Sequence, residues 1–383
     1  MDFSWTNQQT TFRDKIIEFA KQTLNDDFIK HEQENTFSTK KWQKCADFGI
    51  QGLTVPAKYG GKDQELDILT SILAMEGFGY GCHDNGLAFA LNAQMWTVQL
   101  PIVHFGTEEQ KEKYLPRFVN GELIGCHALT EEKTGSDVFS MEMTAKKTKG
   151  GYILNGKKIL VSLAPIADVA LVFVNTKPEM GKWGITAFIV EKGTKGFSQS
   201  ESMDKMGLRT VPIGELNFKD CFVPNENRLG KEGAGFGISN HSLEYERCSI
   251  LASQLGAMER QLETSIEYAK NREQFGQPIG KFQSVSNRIA DMKLRLETSK
   301  LLLYKVAWLK KIGKPAMLEA ALLKLHLSES FAASSLDAIR NHGGIGYLTK
   351  TEVERDLRDA VGGLLYAGTS DIQRNIIAKL LGL

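Results

Sequence analysis

The sequence predicts an α+β protein in three parts: an all-helical segment over residues 1–122, a compact antiparallel β domain over 123–232 and a helical bundle over 233–383. Three observations carry this. Apolar residues recur every three or four positions up to about Gly121, give way to short β-type runs between about Leu123 and Asn227, and resume the helical period after Gly233. At 383 residues and 42% hydrophobic content the chain can bury the cores that two or three domains require. The middle segment has no strand-helix-strand repeat, which argues against a sheet wound by helices.

In the first segment Phe12, Ile16, Phe19 and Ala20, and later Leu66, Leu69, Ile72 and Leu73, fall on helix faces. Pro56-Ala57-Lys58-Tyr59-Gly60-Gly61 separates helices, and Thr107 predicts an N-cap with Gln110 as its capping-box partner. In the middle segment, residues 169–174 and 185–190 predict strands, and Asn155-Gly156 predicts a hairpin turn. The alternation of Leu216, Phe218 and Asp220 continues the pattern up to Val223-Pro224. In the last segment Phe282, Val285, Ile289, Met292 and Leu296 share one helix face, and Gly313 with Pro315 ends that helix. Long helices with short connections predict a bundle.

Charge and cysteine content narrow the function classes. Lys plus Arg number 47 against 46 Asp plus Glu, with no block of like charge, so nucleic acid is not expected as a partner. The first residues show neither a basic segment nor an apolar run, and no stretch is apolar and long enough to span a bilayer; the expectation is a cytoplasmic protein with no membrane partner. The five cysteines are isolated and never spaced as Cys-x-x-Cys, which predicts buried reduced thiols, neither a disulfide framework nor a metal site.

Gly233-Ala234-Gly235 does not join a strand to a helix within a strand-helix-strand unit, so it predicts a turn, not a dinucleotide loop. Two other stretches are more specific: Leu129-Thr130-Glu131 through Gly135-Ser136-Asp137, and His342-Gly343-Gly344-Ile345-Gly346-Tyr347 followed by Glu354, Arg355, Arg358 and Asp359. Together they resemble the acyl-CoA dehydrogenase family of flavoproteins, and the resemblance covers essentially the whole chain. It implies helices, a small β domain and a C-terminal four-helix bundle, an FAD cofactor and a homotetramer. By resemblance, the Leu129 backbone, the Thr130 hydroxyl and the Gly135-Ser136 turn contact the flavin, and Ser162 faces its reactive nitrogen. Leu160 stands where an aromatic residue often shields the ring and Leu163 where asparagine is usual, which leaves oxidase and dehydrogenase activity both open. Arg272 and Phe275, in Arg272-Glu273-Gln274-Phe275-Gly276-Gln277-Pro278-Ile279-Gly280, together with Gln283, Arg340, Gly343, Gly344, Thr369 and Asp371, are the further cofactor-binding residues that the family pattern implies. Several of them would touch an FAD held mainly by a neighbouring subunit. Arg340 replaces the family's usual glutamine.

Tyr366-Ala367-Gly368-Thr369-Ser370 departs from the family at its most consequential position, because alanine stands where most members carry the glutamate that removes the substrate proton. The backbone N–H of Ala367 can still serve as a donor to the carbonyl oxygen. A minority of the family places its base on a bundle helix just before an arginine, and this chain has Glu246-Arg247 there. Glu246 is therefore the expected base, with Glu244, two residues away on another face, the lesser candidate. Phe78-Gly79-Tyr80-Gly81-Cys82-His83-Asp84, Ala164-Pro165-Ile166-Ala167-Asp168 and Met258-Glu259-Arg260-Gln261-Leu262-Glu263 are similar to the prolyl-carrier-protein dehydrogenases and oxidases within the family. That similarity implies L-proline held as a thioester on the phosphopantetheine arm of a carrier protein. Two other readings stay open: a short or branched-chain acyl-CoA dehydrogenase, and a flavin-binding scaffold without turnover.

Overall fold

The computed structural model describes residues 4–383. Helices α1 (Asn7–Thr23), α2 (Phe28–Gln33), α3 (Thr39–Phe48), α4 (Ile68–Gly81), α5 (Asn85–Gln94), α6 (Leu100–Phe105) and α7 (Glu108–Val119) form the first part. The cap at α7 is as the sequence predicts: Gln110 N–H donates to the Thr107 hydroxyl at 3.3 Å while Thr107 N–H donates to Gln110 Oε1 at 3.1 Å. The same Gln110 side chain also donates to the carbonyls of Glu226 and Arg228, so the cap fastens the helices to the β domain.

The middle part contains β1 (Gly125–Ala128), β2 (Thr144–Thr148), β3 (Gly151–Ser162), β4 (Val169–Asn175), β5 (Ile185–Glu191), β6 (Phe197–Gln199), β7 (Ile213–Pro224) and β8 (Arg228–Leu229), in the order β6-β7-β3-β2-β4-β5-β8. The sheet is largely antiparallel, as expected, but β1 pairs with β4 in parallel, so it is mixed. The Asp168 carboxylate accepts from Ile124 N–H at 2.9 Å and thereby starts both strands at the same edge. Asn155-Gly156 is not the hairpin turn. The β2–β3 register closes from Thr148 to Gly151, and β3 runs on through Asn155 with a register shift against β7 between Leu154 and Gly156. Gly156 there has φ +139, and a Cβ on it would lie 2.7 Å from Met143, so the glycine serves a bulge. Asn155 contributes by accepting from Asp220 N–H at 2.8 Å across the strands.

The last part is α8 (Gly235–Ser249), α9 (Ala252–Asn271), the short strands β9 (Glu273–Gln274) and β10 (Gln277–Pro278), then α10 (Gln283–Lys311), α11 (Met317–His342), α12 (Val353–Gly363) and α13 (Ser370–Leu380). The helix predicted from Phe282 onward ends at Lys311, and Gly313 follows with φ +66. Two glycines bring α4 and α9 into contact. A Cβ on Gly79 would sit 1.9 Å from the Ser253 carbonyl oxygen, and one on Gly256 would sit 2.0 Å from that of Glu76. All five cysteines are buried with free thiols. Among the described residues no helix is long and apolar enough to cross a membrane.

Candidate active site

A cavity of about 1510 Å³ lies where the sheet, α8 and the turn before α13 meet. The end of β1 brings Leu129 and Thr130 to its wall, the following loop brings Gly135 and Ser136, and β3 brings Leu160 and Ser162. A second register shift in β3, between Lys158 and Val161, accompanies the left-handed φ of +53° at Leu160 and turns that side chain into the cavity with 57% exposure.

Behind this wall lies an ion pair that the sequence reading missed. Lys158 Nζ, fully buried, donates to Glu131 Oε1 at 2.7 Å and to the Leu129 carbonyl at 3.0 Å. Glu131 also accepts from the backbone N–H groups of Glu142 (2.6 Å) and Met143 (3.1 Å). Burial brings the Lys158 ammonium down to about 8, although Glu131 opposes the shift. The pair fixes both ends of the 129–141 loop. In the sequence Lys158 is the second of the adjacent pair Lys157-Lys158, and nothing in the periodicity marks one of the two as buried.

On the opposite wall α8 presents Glu246 and Arg247, and the turn before α13 presents Ala367 with φ +55 and Gly368 with φ +86. Arg247 Nε lies 3.5 Å from the Ala367 carbonyl oxygen, and Gln373 Nε2 donates to that same oxygen at 3.1 Å. Burial pushes the Glu246 carboxyl up to about 7, with Arg247 and Lys324 restraining the rise. Lys324, on α11, is itself fully buried, its Nζ has no hydrogen-bond partner among the described residues, and burial lowers it to about 8. Glu244 also lines the cavity, contrary to a simple two-face reading of α8. It is neutralised by Lys310 at 2.6 Å and accepts from Ala316 N–H at 3.2 Å, whereas Glu246 has no ion-pair partner among the described residues.

The predicted cofactor residues divide into two groups. Leu129, Thr130, Gly135, Ser136, Ser162 and Thr369 line the cavity, as does Ala367, the expected carbonyl-oxygen donor. Arg272, Phe275, Gln283, Arg340, Gly343 and Gly344 lie exposed elsewhere, Phe275 at 93%, and none of them reaches the cavity of its own chain. Asp371 is exposed too and pairs with Arg374 at 3.0 Å. The cavity fits a flavin. The hydroxyls of Thr130, Ser136 and Ser162 have no partner within the described chain and stand among Leu129, Ile159, Leu160 and Val161, which offers an apolar face with polar groups for a ring's edge.

Models of the acyl-CoA dehydrogenase N-terminal, middle and C-terminal domains match residues 6–122, 126–221 and 233–382. The chain is 43% identical over 384 residues to an L-prolyl-[peptidyl-carrier protein] dehydrogenase of Pseudomonas fluorescens, covering 100% of both chains. The crystal structure of the prolyl acyl carrier protein oxidase AnaB superposes with a TM-score of 0.97 at 52% identity, over 99% of this chain and 100% of that one. A structure of PigA with FAD and proline does so at 0.97 and 41%, covering 100% of both chains.

Proposed function

The chain belongs to the acyl-CoA dehydrogenase family, and on that premise we propose that it is an FAD-dependent oxidoreductase that oxidises L-proline carried as a thioester on a carrier protein. Supporting this reading are the relatives named for prolyl-carrier-protein oxidation, which match end to end, and a cavity that fits the flavin. The observation that carries the chemistry is Glu246: a carboxyl on the cavity wall, with no ion-pair partner among the described residues and a proton affinity raised to about 7, facing the turn that holds Ala367.

Bound FAD supplies the acceptor for the hydride that leaves the substrate's β-carbon. Glu246 takes the α-proton, and its near-neutral pKa keeps an ionised fraction available while leaving it a competent base. The Ala367 N–H, in the left-handed Ala367-Gly368 turn on the cavity wall, donates to the thioester carbonyl oxygen as negative charge develops there. Thr130, Ser136 and Ser162 orient the ring, and the buried Lys158–Glu131 pair holds their loop still. The product is an unsaturated prolyl thioester.

The exposed set Arg272, Phe275, Gln283, Arg340, Gly343 and Gly344 is proposed to meet FAD bound in a neighbouring copy, which makes the working form a homotetramer with shared cofactor sites. Thr369 and Asp371 are proposed as further cofactor contacts, the substrate arm as phosphopantetheine, and the compartment as the cytoplasm. The three-part division at 1–122, 123–232 and 233–383 is likewise proposed, and the matched family models lie within those limits. Anaerobic mixing with prolyl-loaded carrier protein, and separately with a panel of acyl-CoA thioesters, tests the function. Flavin bleaching by the prolyl carrier alone is the expected result, and bleaching only by acyl-CoA would replace prolyl with acyl-CoA as the substrate.

A further inference from the structure

We infer that the rim formed by the exposed Lys182 and Trp183 and the half-buried Phe236 is the docking surface for the phosphopantetheine-bearing carrier protein. The inference rests on the reading above, that the substrate arrives on a carrier, and adds where the carrier sits.

Helix α8 connects this rim to the proposed base. Phe236, Asn240, Leu243 and Arg247 line the cavity at spacings of four, three and four, which is one face of a helix. Ten residues separate Phe236 from Glu246, a rise of about 15 Å. A slender arm laid along this face, with its thioester at Glu246, therefore leaves the protein beside Phe236.

The rim is built and open. The Phe236 ring meets Phe139 edge-on at 4.7 Å and Trp183 at 4.9 Å, which gathers the 138–140 and 178–184 segments around the start of α8. Pro178, Gly181 and Lys182 line the cavity and are exposed to solvent as well. Trp183 is 56% and Met180 50% exposed, large apolar side chains of the kind that anchor protein interfaces. Gly184 pins the base of the loop, since a Cβ there would lie 2.0 Å from the Lys177 carbonyl oxygen.

Charge indicates what the rim receives. Lys182 Nζ lies over the Phe236 ring at 4.6 Å and the Trp183 ring at 5.3 Å, and has no carboxylate within ion-pair distance among the described residues. The nearby Lys147 and Lys177 are both taken up by Glu232, at 2.9 and 3.1 Å. An uncompensated cation at the outer end of the channel suits the phosphodiester that joins a phosphopantetheine arm to its carrier. Trp183 and Met180, beyond it, then meet the carrier's own surface.

The test uses the FAD-loaded enzyme and the variants Lys182→Glu and Trp183→Ala, neither of which touches the base or the carbonyl donor. Steady-state rates are measured with prolyl-loaded carrier and with prolyl-pantetheine, which has neither phosphate nor carrier. For both variants KM for the carrier substrate should rise on the order of tenfold, with kcat and the prolyl-pantetheine parameters unchanged. Unloaded holo-carrier should bind the wild type in calorimetry and bind both variants more weakly, a readout independent of turnover. Carrier KM within twofold of wild type in both variants, or wild-type calorimetry showing no carrier binding, overturns the docking assignment. If holo-carrier binds at the rim but no prolyl thioester bleaches the flavin, the docking surface stands and the proposed reaction fails.

Discussion

Arg247 Nε lies 3.5 Å from the carbonyl oxygen of Ala367. The residue beside the proposed base thus touches the residue that took the place of the family's usual one, although 120 positions separate them in the chain. Both positions look onto the same cavity. On the proposed mechanism, a carboxylate at 367 and one at 246 would be two ways of placing a base over the same substrate carbon.

Glu246→Gln should keep the fold and bound FAD but slow flavin reduction by prolyl carrier by roughly 10²–10⁴-fold, the range for losing a general base. Anaerobic stopped-flow absorbance measures this. A rate within threefold of wild type would place the base elsewhere.

If position 367 addresses the same carbon, Glu246→Gln combined with Ala367→Glu should reduce flavin faster than Glu246→Gln alone. The turn already accommodates a non-glycine residue at φ +55, so the longer side chain adds little backbone strain. An identical rate in single and double variants would show that position 367 cannot reach the proton.

The raised Glu246 pKa sets two pH dependences. As a base it must be ionised, so the rate constant for flavin reduction should climb with pH through about 7 and then level off. For stability the sign is opposite: the folded carboxyl binds its proton more tightly than the unfolded one, so this group lowers wild-type stability as pH rises from its ordinary 4.5 through about 7. The contribution is at most about 3 kcal/mol. Urea denaturation of wild type and Glu246→Gln at pH 5 and pH 8 should show the variant gaining relative stability at the higher pH.

Lys158→Met strips the partner from a buried carboxylate and should cost about 3–5 kcal/mol, with weakened FAD retention. Adding Glu131→Gln removes the stranded charge and should recover part of that loss. Denaturation midpoints and FAD fluorescence on dilution report both quantities. Equal stability of wild type and Lys158→Met would show that the pair does not hold the loop.

Gly79→Ala places a methyl group 1.9 Å from the Ser253 carbonyl oxygen, a backbone atom that can retreat only by separating α4 from α9. A loss of about 1–3 kcal/mol or more is expected from such overpacking, read as a lower thermal midpoint. An unchanged midpoint would mean that the two helices have room to spare.

Much of the cavity lining could be read from the sequence because the 129–137 loop, the Glu246-Arg247 pair and the 366–370 turn are each runs of adjacent residues. The Lys158–Glu131 pair could not, because its members lie 27 positions apart and a lysine within a strand looks like an exposed one. Glu244 misled for a related reason: helical spacing separates it from Glu246, but a cavity wide enough to span both faces collects the two, and Lys310 with the Ala316 N–H on Glu244, against burial of Glu246, distinguishes them. Asn155-Gly156 has the composition of a hairpin turn, yet pairing with β7 on the far side carries the strand through it as a bulge.

By itself the sequence determined the order of helical, β and helical parts, the α7 cap and the 129–136 residues that line the cavity. These depend on periodicity and on contacts a few residues apart. Tertiary structure alone decided that β1 runs parallel to β4, that Lys158 is buried against Glu131, and that Glu246 rather than Glu244 is the carboxyl without an ion-pair partner among the described residues. Each of those depends on which distant segments meet and how much water remains between them, and burial, more than residue type, sets the proton affinity of a carboxyl group.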